Sequence, residues 1–319
     1  MKLPTFNPFR NSVLRVNTKK HEASVALLFS VFILGGLYLL PTTNARVVKR
    51  PNITIPTTTP NAYKNLSVRA KAAIVYDLAT HKTLFAKNAD AQLPLASITK
   101  LLTTYTAVKE LGLNTPITIK RSDIAVEGNS GFSPGEIFTV RSLARITLTG
   151  SVNDGAAALA RASSIRVGSG IPRMLAGAAA SLDLSQTYAL DGSGLDTSDT
   201  VSGGYGSAHD VALLAGALLK EAPSIVEATT QTSDTEYSEN GTAHTKLNTN
   251  QHVTNTPRIL LSKTGYTDLA GGNLVVVFDA SINHPIAVVV LGSTEKARFT
   301  DVDAMIAATI AHFSHIQRL

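Results

Sequence analysis

The stretch 258–291, RILLSKTGYTDLAGGNLVVVFDASINHPIAVVVL, decides the fold. Three runs in it, 258–263, 273–279 and 286–291, are rich in Val, Ile and Leu and are separated by Gly-, Asp- and Asn-bearing turns, so they read as strands. A helix is expected after them, from about 301 to 314. Near the other end, 71–77 (KAAIVYD) and 82–87 (KTLFAK) read as a hairpin joined by a polar turn at 79–81. Helical patterns lie between: 97–111 with Gly112 as its stop, 140–164 with breaks near Gly150 and Asp154-Gly155, and 207–220. Strands at both ends with helices inserted between them define a mixed α/β class, with one sheet assembled from the two termini. No internal repeat is visible.

The chain has 319 residues and is 44% hydrophobic, ample for a sizeable core. Cysteine is absent, which excludes disulfides, thiolate metal sites and cysteine nucleophiles. The net charge of +6 is unevenly placed: residues 1–50 hold eight of the 29 Lys/Arg and a single acid, Glu22. The remaining 21 bases face 22 acids, so the folded part is not basic and nucleic acid is not an expected partner.

Residues 23–40 form a charge-free run closed by Pro41. At about 1.5 Å per residue it would reach roughly 27 Å as a helix, near the thickness of a hydrocarbon core. Five bases precede it and three follow, which puts the N-terminus inside and the bulk of the chain outside. The expected organisation is a basic cytoplasmic tail at 1–22, a transmembrane signal anchor at 23–40, a Thr/Pro-rich linker at 41–66 and a catalytic domain at 67–319. The expected location is a cell membrane, single-pass, with membrane contact through 23–40. Cleavage after Thr43-Asn44-Ala45 would instead give a secreted domain.

Three short motifs stand in order: Ser97-Ile98-Thr99-Lys100, Ser151-Val152-Asn153 and Lys263-Thr264-Gly265. On a helix, position i+3 shares a face with i, so the Lys100 amine can reach the Ser97 hydroxyl. A serine hydroxyl needs such a base, and lysine serves as one only when burial and a second cation depress its pKa. Lys263 is a candidate for that cation. Ser151 and Asn153 lie where a loop between helical stretches can project both side chains into a cleft. Lys263-Thr264-Gly265, the one K-[ST]-G in the chain, ends a strand-like run. Its ammonium and hydroxyl suit a carboxylate, and its glycine admits a backbone at the strand edge. Ser293-Thr294-Glu295-Lys296 repeats the first spacing in a polar stretch and reads as a solvated turn, while 238–240 and 281–283 repeat the second.

Taken jointly, these motifs and the sequence around them (PLASITKLLTTY, FSPGEIFTVRSLARITLTGSVNDGAAALA, GSAHDVALLAGALL, LSKTGYTDLAGGNLVVV) resemble the low-molecular-mass penicillin-binding proteins, the serine-type D-alanyl-D-alanine carboxypeptidases, from about Ala70 onward. The resemblance implies a penicillin-binding/β-lactamase-like transpeptidase fold, with an antiparallel sheet, flanking helices and a helical insertion. It implies Ser97 as acylated nucleophile, Lys100 as its base and Ser151 as proton relay. Asn153 would bind the substrate amide, Lys263 and Thr264, with Arg298 assisting, would engage the terminal carboxylate, and Gly265 would complete the substrate-binding set. The backbone N–H groups of Ser97 and Tyr266 would form the oxyanion hole. Peptidoglycan stem peptides would be substrates and β-lactams inhibitors, with no cofactor and no metal. Departures are Val152 where the family often has Gly or Asp, Tyr266 where His is common, and a chain that leaves no room for the C-terminal β-domain of many relatives.

Other chemistries fit less well. A class A β-lactamase would need a carboxylate for its deacylating water, and no E-x-x-L-N segment lies between Ser151 and Lys263. D,D-endopeptidases and transpeptidases share all three motifs and stay open, as does a non-catalytic wall-binding module. The histidines lack H-E-x-x-H spacing, His312 and His315 read as a helix face, G-x-S-x-G is absent, and His209-Asp210 reads as a helix start.

Overall fold

The computed structural model describes residues 61–128 and 131–316, which fall in one compact unit, Thr57–Leu319. Its spine is a five-stranded antiparallel sheet. The N-terminal hairpin supplies β1, Ala72–Asp77, and β2, Lys82–Lys87. After a second hairpin, β3 (Ser233–Tyr237) and β4 (Ala243–Leu247), a C-terminal meander supplies β5 (Ile259–Thr267), β6 (Gly271–Asp279) and β7 (Pro285–Ser293). The order is β5-β6-β7-β1-β2. The two chain ends meet where β1 pairs with β7, from Ala72 opposite Leu291 to Asp77 opposite Ile286.

Alternation along these strands separates two cores. Ala73, Val75, Leu274, Val276, Phe278, Val288 and Val290 face one side, where Phe299, Val302, Met305 and Ile306 of the last helix α6, Ala297–Ile316, pack. Ile74, Tyr76, Val275, Val277, Val289 and Leu291 face the other, against the inserted helices. Both faces are covered, which is why the runs LVVVF and IAVVVL are apolar at every position. Burying each such Val, Leu or Ile contributes about 1.5–3 kcal/mol.

The insertion contains α1 (Thr99–Leu111), α2 (Val140–Gly150), α3 (Asn153–Val167), α4 (Ile171–Ser181) and α5 (Ala208–Glu221). Gly112 ends α1 at φ +81°, and its N–H returns to Val108 O. Ser207 caps α5 by accepting from Asp210 N, so His209-Asp210 does open a helix. The mixed α/β class and the sheet built from both termini match the sequence reading.

Several boundaries differ from expectation. The expected strand 258–263 continues to Thr267, so Lys263-Thr264-Gly265 lies inside β5 and not at its end. The expected break at Asp154-Gly155 falls at Ser151-Val152 instead, and Asp154 sits in the first turn of α3. The last helix begins at Ala297, four residues early, because Thr294 Oγ1 accepts from Ala297 N at its start. Residues 61–66, expected in the linker, are already part of the fold: Tyr63 is buried, stacks with Phe85 and donates to Thr309 Oγ1. Ser293, expected in a solvated turn, is buried at the end of β7 and donates to Asp301. His312 packs beside Tyr63.

The membrane expectation requires correction. No helix among the described residues is long and apolar enough to cross a membrane; the longest, α6, carries Arg298, Asp301 and Asp303. The transmembrane helix, the signal anchor, membrane contact through 23–40 and the single-pass location therefore find no support here. The stretch 23–40 that carried them lies outside the described residues.

Candidate active site

Ser97 lies on a 3-10 turn, Ala96–Ile98, that leads into α1. Ala96 before it has φ +49°, a left-handed conformation unusual for a residue with a side chain. Two contacts hold this turn. Asn273 of β6 donates from Nδ2 to the Pro94 and Leu95 carbonyls at 3.0 Å and accepts from Gly292 N at 2.8 Å. Gly265 of β5 runs so close that a Cβ there would lie 2.7 Å from Leu95 O and 3.2 Å from Ile98 N. The strand edge and the turn that carries Ser97 are thus in backbone contact, a separation only glycine permits.

At the second position of α1, Lys100 is fully buried. Its Nζ donates to Ser97 Oγ at 2.8 Å and to Ser193 O at 2.7 Å. Burial lowers this amine to about 7, while the charge of Asp191 works in the opposite direction. A lysine so placed exchanges its proton near neutral pH, which an exposed lysine does not.

Lys263 is the second buried amine. Its Nζ donates at 2.8 Å to Ser151 Oγ and to Thr264 O. Burial, then the charges of Lys100 and Arg298, hold it well below the ordinary lysine range. Ser151 is presented by the end of α2, where it adopts φ +56° as the helix cap, before the chain turns through Val152 into α3. Thr264 Oγ1 donates to Thr249 Oγ1 at 2.7 Å.

The structure thus gathers Ser97, Lys100, Ser151, Lys263, Thr264 and Gly265 at one place. Two expected residues stand differently. Asn153 donates from Nδ2 to Glu127 O at 2.8 Å, so its amide is engaged with the neighbouring loop. Arg298 is buried behind β5, donates from Nη1 to Gly265 O at 2.8 Å and lies over the Phe299 ring; it braces the strand from the rear. Tyr266 is half-exposed and borders a cavity of about 690 Å³ that Glu127, Leu195, Asp199 and Asp268 also line.

Sequence reasoning missed the loop 191–194. Asp191 Oδ1 accepts from Ser193 N at 2.7 Å, Ser193 Oγ at 2.8 Å and Gly194 N at 2.7 Å, which aims Ser193 O at Lys100. Gly194 needs its φ of +76° and its lack of a Cβ to pass against Ala96 O and Thr99. The run Asp-Gly-Ser-Gly announced a turn, yet nothing in its spacing tied that turn to the lysine.

Comparison with known proteins follows the same lines. The family model described as D-alanyl-D-alanine carboxypeptidase, Peptidase_S11, matches residues 57–295. The D-alanyl-D-alanine carboxypeptidase DacF of Bacillus subtilis is 30% identical over 250 residues, 76% of this chain and 62% of that protein. The chain therefore spans under two thirds of that relative's length. The crystal structure of D-alanyl-D-alanine carboxypeptidase from Mycobacterium tuberculosis superposes with TM-score 0.66 at 27% identity, covering 79% of this chain and 92% of that one. Penicillin-binding protein D2 from Listeria monocytogenes, in its ampicillin-bound form, gives TM-score 0.65 at 25% identity, covering 77% and 98%.

Proposed function

Because this chain belongs to the D-alanyl-D-alanine carboxypeptidase family of serine peptidases, we propose that it removes the terminal D-alanine from peptidoglycan stem peptides through an acyl-enzyme on Ser97. The observation that carries this reading is the Lys100–Ser97 contact at 2.8 Å, made by an amine that burial brings to about 7. Neutral Lys100 takes the Ser97 proton as Oγ attacks the penultimate carbonyl. The backbone N–H groups of Ser97 and Tyr266 hold the developing oxyanion where β5 abuts the nucleophile turn. Ser151, hydrogen-bonded to Lys263, relays a proton to the departing nitrogen, the C–N bond breaks and D-alanine leaves. Water then attacks the ester, returning a proton to Ser97 and freeing the shortened peptide.

Lys263 and Thr264 receive the terminal carboxylate, and Gly265 admits the peptide backbone. An arriving carboxylate favours the charged form of Lys263, offsetting the burial that otherwise opposes it. Arg298 adds positive charge from behind the strand. The cavity beside Tyr266 has room for the rest of the stem peptide. Asn153 contacts the substrate amide once Glu127 O releases it.

The test is incubation of the full chain with a fluorescent penicillin and, separately, a D-Ala-D-Ala peptide, comparing wild type with Ser97→Ala. Labelling and D-alanine release, both lost in the variant, are expected. Labelling without release favours an endopeptidase, which hydrolyses a crosslink instead of the terminal residue, or a transpeptidase, which passes the acyl group to an amine in place of water. Absence of both overturns the reading in favour of a non-catalytic wall-binding module.

A further inference from the structure

We propose that Asp191 is a positioning residue for Lys100, its carboxylate both fixing the Ser193 carbonyl against the amine and supplying a negative charge that favours the amine's charged form. This rests on the reading of Lys100 as the base that activates Ser97. A single oxygen, Asp191 Oδ1, gathers three donors from Ser193 and Gly194. The resulting turn leaves Ser193 O 2.7 Å from Lys100 Nζ, opposite the bond to Ser97. With two of its donor directions so fixed, the amine has one orientation, and its remaining freedom is the gain or loss of a proton. The other oxygen, Oδ2, packs where Gly203 lacks a side chain, so that a Cβ at 203 would collide with it and with Leu195 O. Leu190 N and Asp191 N both bond Gly203 O, which locks the acid's own backbone.

The electrostatics follow this placement. Lys100 is pushed down by burial and raised by Asp191. Lys263 on β5 and Arg298 on α6 are the nearby cations, and it is Lys263 that carries the repulsion, from Lys100 and Arg298. On the helices packed along α1, Asp210 of α5 is occupied by Gln186 N and Thr187 Oγ1, and Asp154 lies in the first turn of α3; the acid whose charge shifts the amine is Asp191. Asp191 is therefore the acid that partly offsets the effect of burial on this amine and favours its charged form. A base must accept a proton as well as lack one, so this setting serves both halves of the cycle.

The experiment is a pH titration of the full chain carrying lysine labelled with 13C at Cε, wild type against Asp191→Asn. Asparagine keeps an acceptor oxygen for the turn and removes only the charge. The Lys100 midpoint should fall by about one pH unit. The acid limb of penicillin acylation should move down with it, giving about tenfold more of the neutral base at a pH well below the wild-type midpoint. Asp191→Ala should lower the midpoint likewise and also reduce the acylation plateau by about tenfold or more, since the turn then loses its acceptor. Lys100 titrating at its wild-type value in Asp191→Asn overturns the inference. Should that variant fail to fold, wild-type chain labelled at Asp Cγ decides: the Asp191 signal should step at the Lys100 midpoint, and a flat signal there is the contrary result. The NMR titration reads the amine and not turnover. A chain that never reacts with penicillin sinks the peptidase reading, while the titration still decides the coupling.

Discussion

Lys263 Nζ reaches Ser151 Oγ at 2.8 Å although 112 positions separate them in the chain. The contact joins the middle of β5 to the left-handed cap that ends α2, bringing a strand on one side of the cleft to a helix end on the other. Apart from each other, the serine would be an ordinary helix cap and the lysine a buried amine with one partner fewer.

Replacing Lys263 with methionine preserves volume and removes the donor. A charge-assisted hydrogen bond to a carboxylate contributes about 1.5–3 kcal/mol, so kcat/KM for a D-Ala-D-Ala peptide should fall by about 10- to 100-fold. Steady-state D-alanine release checks this. An amidated substrate should lose much less on the same substitution, because the partner charge is then absent from the peptide.

Lys100 sets both a pH profile and a stability cost. Acylation by penicillin should rise with pH through about 7, as the amine loses its proton. Stopped-flow labelling across pH 5–9, roughly two units either side of that midpoint, measures the limb. Burial has lowered the folded-state pKa, so between about 7 and the unfolded lysine value the unfolded chain binds more protons. Stability from this group therefore grows as pH rises through that window and is least below about 7. Lys100→Met should abolish acylation while raising stability by about 1–3 kcal/mol at acidic pH, a gain that shrinks as pH climbs. Urea denaturation at two pH values tests the sign.

At Gly265, a methyl group cannot fit without moving β5 from the nucleophile turn, since its carbon would lie 2.7 Å from Leu95 O. Gly265→Ala should retain the fold, because β6 still pairs with the strand along its length. Acylation should drop by about 100-fold, the scale on which a displacement of about an ångström acts. Circular dichroism alongside labelling separates the two effects.

Asn273 joins β6 to the Pro94 and Leu95 carbonyls and to Gly292 N. Asn273→Ala removes all three of these bonds in a buried setting, leaving Leu95 O with Ile98 N, and a loss of about 1–3 kcal/mol is expected. Chemical denaturation measures it. Acylation should weaken as well, because the same amide steadies the turn that presents Ser97.

Much of this molecule was written in local pattern. The runs 273–279 and 286–291 are apolar at every position because both faces of the sheet are covered, and the spacing of Ser97 and Lys100 on one helical face is a property of any helix. Those features depend on neighbours a few residues away, so the strands and helices of the mixed α/β class and the Ser97–Lys100 pair could be read directly, and the union of the two termini followed from the order of strands and helices along the chain. The rest depended on distance in three dimensions. That Ser151 caps a helix in left-handed conformation, that Arg298 lies behind Gly265, and that Asp191 steers a carbonyl toward the lysine arise from segments far apart in the chain. No sequence period connects such segments; close packing and the need to satisfy buried polar groups bring them together. Chain order supplied the Ser97–Lys100 pair, and tertiary packing supplied the burial that brings the lysine to about 7.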